Sequence, residues 1–365
     1  MRPESLEFLK RLLDAPGPSS AESRPARLWR AEAERFAHRV TADVGGNSLA
    51  SLDGAGGGEQ GGQGVPRLMF AGHIDEIGVM ISYIDEHGFC HFEPIGGWDT
   101  QVFVGQRVLL LGRAGLIPGV IGKRAIHLME EEDRKKVSRA RDLWIDVGAT
   151  TRDEALALGL RIGDAGVLAS MVQEFANGRI VSRSLDNRIG AFVVLEALRL
   201  LAADRPQAQV TAVATTQEEI AWQTGGGART TAVALDAQVA IVVDVTHATD
   251  YPGMDKNRHG DIRLGSGPVL SRGSAISPVV FDLLVEAAEA EGIPYTLQAA
   301  PKHTGTDADS IYTANRGVAT GLVSVPQRYM HSPSEMLDLA DLERAARLLA
   351  AFARRLTRET DLVPR

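Results

Sequence analysis

Arg67-Leu68-Met69-Phe70-Ala71-Gly72-His73-Ile74-Asp75-Glu76 reads as an apolar strand that delivers an imidazole and two carboxylates at its end. Similar placements recur downstream. Val210 to Ala214 is a β-like run followed by Gln217-Glu218-Glu219, and Val239 to Val245 is another that carries Asp244 ahead of Thr246-His247. Ser184-Leu185-Asp186-Asn187 leads into a helix, and Arg328-Tyr329-Met330-His331-Ser332-Pro333 is a turn. A rigid scaffold holds side chains in such positions at the rim of a sheet.

Around these points the chain alternates between two periodicities. Behind Asp186, the apolar residues Ile189, Phe192, Val193, Leu195, Ala197 and Leu200 predict a helix. Helices are also expected after Gly225-Gly226-Gly227, from Val279 to Glu291, from Thr306, and from Asp338 to Leu356. Strands near Tyr295 and from Val318 to Val323 separate them. Upstream, Leu6, Leu9, Leu12 and Leu13 recur at helical spacing, and a second helix is expected over Ala21 to Ala37. Strands separated by helices predict an α/β sheet with helices on both faces.

Residues 78–180 have a different texture. Val79 to Ile84, Arg107 to Leu111, Leu116 to Ile121 and Leu143 to Val147 are short β-like runs set among glycines. They predict a small β-barrel or sandwich inserted between a main domain's two parts, residues 1–77 and 181–365. The charged run Glu130 to Lys136 is expected to be a solvated loop, and Gly54 to Gly64 a mobile hairpin tip. That glycine-rich stretch lacks the Gly-Lys-Ser/Thr ending of a phosphate-binding loop.

Composition narrows the function. A chain of 365 residues with 44% hydrophobic content can bury a large core. A net charge of −8 argues against a nucleic-acid partner, which wants a basic face. No apolar run approaches the ~20 residues needed to cross a bilayer, and the opening Met1-Arg2-Pro3-Glu4-Ser5 does not read as a signal peptide. One cysteine, Cys90, fits a reducing compartment and reads as a small buried apolar residue. A cytoplasmic enzyme is expected.

Taken singly, the polar residues have ordinary readings. His73 and Asp75 are two apart, so in a strand both face one side, and Asp75 can fix the tautomer of a metal-ligating His73. Asp186 ahead of a helix can be an N-cap, and His331 an exposed bystander. Glu218 and Glu219 at a strand end face opposite ways, which suits two roles, base and ligand. Asp244 in an apolar run is costly unless paired or bound to a cation. Taken jointly they describe a balanced cluster. Two dications are met by Asp186, Glu219, Asp244 and one hydroxide, His73 and His331 are neutral ligands, and Glu218 is left to move protons.

The strings GHIDEIG, SLDNRIG, QEE, DVTHATDYPG, GTDAD and RYMHSPSE, in that order, resemble the M42 family of glutamyl (TET, tetrahedral) aminopeptidases. The resemblance implies a zinc-exopeptidase-like fold with a mixed sheet flanked by helices, and a PDZ-like β-barrel insert that drives dimerisation. It implies a cocatalytic two-metal aminopeptidase acting on short peptides, with zinc or cobalt as the metals. His73 and Asp244 would hold one metal, Glu219 and His331 the other, and Asp186 would bridge them. Glu218 would be the general base and Asp75 the residue that orients His73. A homo-oligomer, a dodecamer built from dimers, is implied, with peptides as the only other partners. Ile220-Ala221-Trp222-Gln223-Thr224 departs from the family's glycine-containing stretch, which bears on the shape of the substrate pocket. A related dimetal deacylase or carboxypeptidase would use a similar residue set but an α/β lid in place of the β insert. His247 and His303 could line the cavity; His127 and His259 have no assigned role.

Overall fold

The computed structural model describes residues 1–55, 64–221 and 224–365. The expected tip at Gly54 to Gly64 falls largely outside them, as do Trp222 and Gln223 of the departure at Ile220 to Thr224.

Two helices open the chain, α1 (Pro3–Asp14) and α2 (Ser23–Ala33). Phe8, Leu9, Leu12 and Leu13 form the buried stripe of α1. Pro25 lacks an N–H and is confined to a first turn, so α2 begins at Ser23 and not at Ala21. Strands β1 (Arg39–Ala42), β2 (Ser48–Leu52) and β3 (Leu68–His73) follow. Next come β4 (Gly78–Ile84), β5 (Cys90–Ile95), β6 (Arg107–Gly112), β7 (Gly115–Gly122), the one-turn α3 (Glu131–Arg134) and β8 (Trp144–Asp146). Helix α4 (Arg152–Ala157) precedes β9 (Ala165–Leu168), β10 (Gln173–Phe175) and β11 (Arg179–Ser182).

The second half begins with α5 (Leu185–Ala203), β12 (Val210–Thr215), α6 (Glu218–Ala221), α7 (Gly226–Ala234) and β13 (Val239–His247). It continues through α8 (Lys256–His259), β14 (Val269–Gly273), α9 (Pro278–Ala290) and β15 (Thr296–Ala300). It closes with α10 (Ala308–Ile311), β16 (Ala319–Gln327), β17 (Glu335–Asp338) and α11 (Leu339–Arg355), where Asp338 accepts the Ala340 N–H as N-cap.

Eight strands form a mixed sheet in the order β1-β2-β12-β3-β13-β16-β14-β15. Its centre, β12-β3-β13-β16, is parallel. These strands are buried on both faces, which explains their nearly continuous apolar sequence. Helices α5, α9 and α11 pack on one face, α7 and α10 on the other. Because β12 lies between β2 and β3, the strands flanking the glycine-rich stretch do not form a hairpin.

Strands β4 to β9 close into an antiparallel barrel, β4-β5-β8-β7-β6-β9, around Val79, Ile81, Phe92, Phe103, Val108, Leu110 and Ile145. Cys90 is buried in this core, and burial pushes its thiol up to about 11. A third sheet, β10-β11-β17, has no counterpart in the sequence reading. Its strand Arg179–Ser182 spans residue 180, where the insert was expected to end, and pairs with Glu335–Asp338.

Candidate active site

Strand register brings the polar residues together. His73 closes β3 beside Thr215, its partner at the end of β12, and Asp244 lies on β13 next to Ser324 of β16. Helix α5 approaches β3 backbone to backbone: a Cβ on Gly72 would lie 2.3 Å from the Gly190 carbonyl carbon. That contact carries the start of α5 to His73. Asp186 and Asn187 leave helical geometry there, and Asp186 is not an N-cap. Its carboxylate oxygens lie 3.3 Å from His73 Nε2 and 3.4 Å from His331 Nε2.

The paired glutamates depart from expectation. They stand in the one-turn helix α6, not in a strand, after Gln217 turns the chain with φ 63°. Both still reach the site. Glu218 Oε2 is 3.6 Å from His73 Nε2, and Glu219 Oε2 is 3.4 Å from His331 Nε2. Asp244 Oδ1 is 3.9 Å from His73 Nε2.

Asp75 is the hub behind these groups. Its carboxylate lies 3.3 Å from His73 Nδ1 and accepts the Ser19 hydroxyl (2.7 Å) and the N–H groups of Glu218 (3.1 Å) and Glu219 (3.2 Å). Glu22, buried beside it, accepts from Ser20 and from the Gln217 N–H. On the other side, Glu335 accepts the N–H of Asp186 through one oxygen and that of His331 through the other, each at 3.0 Å. His331 and Gln217 both hold left-handed backbone, which costs on the order of 1–3 kcal/mol for a non-glycine residue. In each case a buried carboxylate grips the strained N–H. Deeper still, Arg188 donates to Glu76 at 2.7 Å and to carbonyls of Leu12, Gly17 and Ile74, pinning the N-terminal segment behind the site.

Sequence reading missed Ser19, Glu22, Asp307 and Glu335. Glu335 and Asp307 sit inside the strings RYMHSPSE and GTDAD, four and two residues from positions already legible there, His331 and Gly305. Ser19 and Glu22 follow the turn Pro16-Gly17-Pro18, a signal of irregular backbone near a site. Asp307 accepts the Thr215 hydroxyl at 2.6 Å.

Electrostatics marks the cluster as cation-seeking. Burial drives Glu218 and Glu219 well above the usual carboxylate range, with Asp244 and Asp186 adding to the respective effects. Burial likewise pushes Asp244 up to about 8 and Asp307 up to about 6. Burial would also raise Asp186, but the imidazoles of His331 and His73 hold it low. For His73 burial opposes protonation, yet the carboxylates of Glu218, Asp186 and Asp75 overcome it. Buried carboxylates at this density cannot all ionise without positive charge.

Divalent metals fit this arrangement. Ligand atoms of His73, Glu218 and Asp244 lie within 4.8 Å of one another, as do those of His73, Asp186 and Glu219. Glu218 Oε1 and Glu219 Oε1 are buried with no hydrogen-bond partner. Mixed imidazole and carboxylate donors suit zinc and its neighbours in the transition series.

The cluster occupies one end of a cavity of about 480 Å³. His247 and His303 line it, whereas His127 and His259 do not. The barrel also reaches it: Gly97, following β5, stands so close to His331 that a Cβ there would lie 3.3 Å from Nδ1.

This fold, with a cluster of imidazoles and carboxylates fit for divalent metal, is that of a peptidase. The chain matches the M42 glutamyl aminopeptidase family over residues 55–348 and belongs to it. It is accordingly an aminopeptidase, a hydrolase of peptide bonds. It is 33% identical over 354 residues to a lysyl aminopeptidase of Pyrococcus furiosus, covering 96% of this chain and 97% of that one. Among solved structures, a TET aminopeptidase from a marine-sediment Thaumarchaeota archaeon superposes with a TM-score of 0.89 at 33% identity, covering 97% and 96%. The TET1 peptidase of Pyrococcus horikoshii, described as assembling into a tetrahedron or a large octahedral shell, superposes with a TM-score of 0.83 at 30% identity, covering 96% and 100%. Among the described residues, no helix is long and apolar enough to cross a membrane.

Proposed function

We propose that this protein is a two-metal aminopeptidase that removes N-terminal residues from short peptides. The convergence of His73, Asp186, Glu218, Glu219, Asp244 and His331 on one end of one cavity carries the reading. His73 and Asp244 would hold one metal, Glu219 and His331 the other, and Asp186 both, with zinc or cobalt as the ions. Bound there, the metals would supply Lewis-acid polarisation of the scissile carbonyl and acidify water.

The chain's own residues do the rest. Glu218, with one buried oxygen free of partners, takes a proton from the attacking water and returns it to the leaving amine. Asp75 fixes His73 through Nδ1 and, through the α6 N–H groups, fixes Glu218 relative to it. The acidic end of the cavity receives an unblocked α-amine, so an acylated N-terminus is refused. The closed barrel at residues 78–168, in place of an α/β lid, favours this reading over a dimetal deacylase or carboxypeptidase.

The barrel also serves assembly. Ile126, Leu128 and Val137, between β7 and β8 in the chain, are exposed large apolar side chains that a partner subunit would cover. Dimerisation through this element, and association of dimers into a closed shell of twelve, would restrict entry to short peptides. Aminoacyl-4-nitroanilides and their N-acetyl counterparts, assayed on metal-stripped protein with zinc or cobalt restored, test the proposal. Metal-dependent cleavage confined to the free-amine series supports it; equal cleavage of the acetylated series, or activity indifferent to metal, sinks it.

A further inference from the structure

The cavity continues beyond the metal-site residues onto a floor built by neighbouring strands. Thr246 of β13, Ser324 of β16, Ser271 of β14 and Gln298 of β15 line it. A sheet face in a protein interior is ordinarily apolar; here successive strands each contribute a polar group. Ser271 and Ser324 are 3% and 2% exposed, and both line the same cavity as Gln298. Gln298 accepts the Thr246 hydroxyl at 3.0 Å through its carbonyl oxygen, which leaves its NH₂ group as a donor toward the cavity. Apart from Asp186, Glu218, Glu219 and Asp244, no Asp, Glu, Lys or Arg lines the cavity among the described residues.

We propose that this floor receives the side chain of the substrate's N-terminal residue and selects an uncharged carboxamide, glutamine first and asparagine next. The inference rests on the aminopeptidase reading and names its substrate class. A lysine side chain buried there would meet no counter-charge beyond the carboxylates assigned to the metals, and a glutamate only the imidazoles of His247 and His303, the first of which burial holds toward its neutral form. A leucine side chain would cover the polar groups of Ser271, Ser324 and Gln298 and offer none of them a hydrogen bond, and a site built for hydrogen bonding rejects an analogue that lacks them. A carboxamide both donates and accepts, which matches the amide donor of Gln298 and the two-way hydroxyls of Ser271 and Ser324.

The test uses the zinc- or cobalt-loaded protein on X-Ala-Ala peptides, with X alanine, glutamine, leucine, lysine or glutamate. Glutamine is expected to exceed leucine, lysine and glutamate in kcat/KM by ~10-fold or more. Gln298→Leu and, separately, the milder Ser271→Ala are expected to lower the glutamine value, chiefly through KM, by a larger factor than the alanine value. Calorimetry adds a reading free of turnover: L-glutamine should bind more tightly than L-norleucine, and Gln298→Leu should erase the difference. Preferred cleavage of lysine or glutamate peptides would overturn the proposal, as would a glutamine-to-leucine ratio unchanged in both variants. Failure to cleave even the alanine peptide would instead overturn the aminopeptidase reading, and the substrate role with it.

Discussion

Asp75 Oδ1 accepts the backbone N–H of Glu218 at 3.1 Å, while the same carboxylate lies 3.3 Å from Nδ1 of His73. One buried side chain therefore sets the distance between a strand-end imidazole and the carboxylate of a turn more than a hundred residues away. Geometry at the reacting end of the cavity depends on this junction, not on the flexible reach of Glu218 itself.

Replacing Glu218 with glutamine preserves the N–H contact to Asp75 but removes proton transfer. Turnover is expected to fall by ~10²–10⁴ while fold and metal content persist. Rate and elemental analysis on one preparation check this; near wild-type turnover would refute the assignment of the base.

Asp186→Asn should lose metal and activity together. A neutral amide cannot offset the charge that this carboxylate, held low by His331 and His73, now supplies. Normal occupancy of two metals in the variant would leave Asp186 without its bridging role.

Glu335 serves two N–H donors with its two oxygens, and a glutamine has one acceptor to offer. Glu335→Gln is expected to orphan one donor at about 1–3 kcal/mol and to weaken metal affinity by roughly 10–100-fold. Chelator competition gives the second figure. Unchanged affinity with a lowered melting temperature would make Glu335 a structural residue only.

Glu22 gives a pH signature. Burial, with Asp75 adding, raises it to about 7. Between the ordinary glutamate value and about 7 the folded chain keeps a proton that the unfolded chain releases, so this group's contribution to stability falls as pH rises through that window. Glu22→Gln should melt higher than wild type by ~2–4 °C at pH 8 and equally at pH 4. A difference of the same size at both values would disprove the buried titration.

Light scattering under assay conditions should report a particle far larger than one chain. Ile126→Asp with Leu128→Asp should reduce it, since both side chains are exposed on the barrel. A wild-type protein that stays monomeric would end the assembly proposal.

Apolar periodicity made the α/β sheet legible, because β3, β12, β13 and β16 are parallel and buried on both faces. Strand β5 escaped notice because Pro94 interrupts its alternation, and β9 because Ala-Gly-Val-Leu is too short to show any. Chemistry-bearing types at strand ends pointed to His73 and Asp244. No local pattern could place Glu218 and Glu219 in a helix, since the left-handed Gln217 that turns the chain is held by Glu22, distant in sequence. Supporting residues such as Glu335 act through backbone N–H groups, and only coordinates disclose that.

The order of the site residues along the chain also has a temporal meaning. His73 is made early, whereas His331 and the β17 carboxylate Glu335 that grips it come late. A chain still emerging from the ribosome carries strand-end ligands but no complete cluster, and the barrel is synthesised in the interval. A complete cluster therefore arises only once the last strand, β17, is laid down.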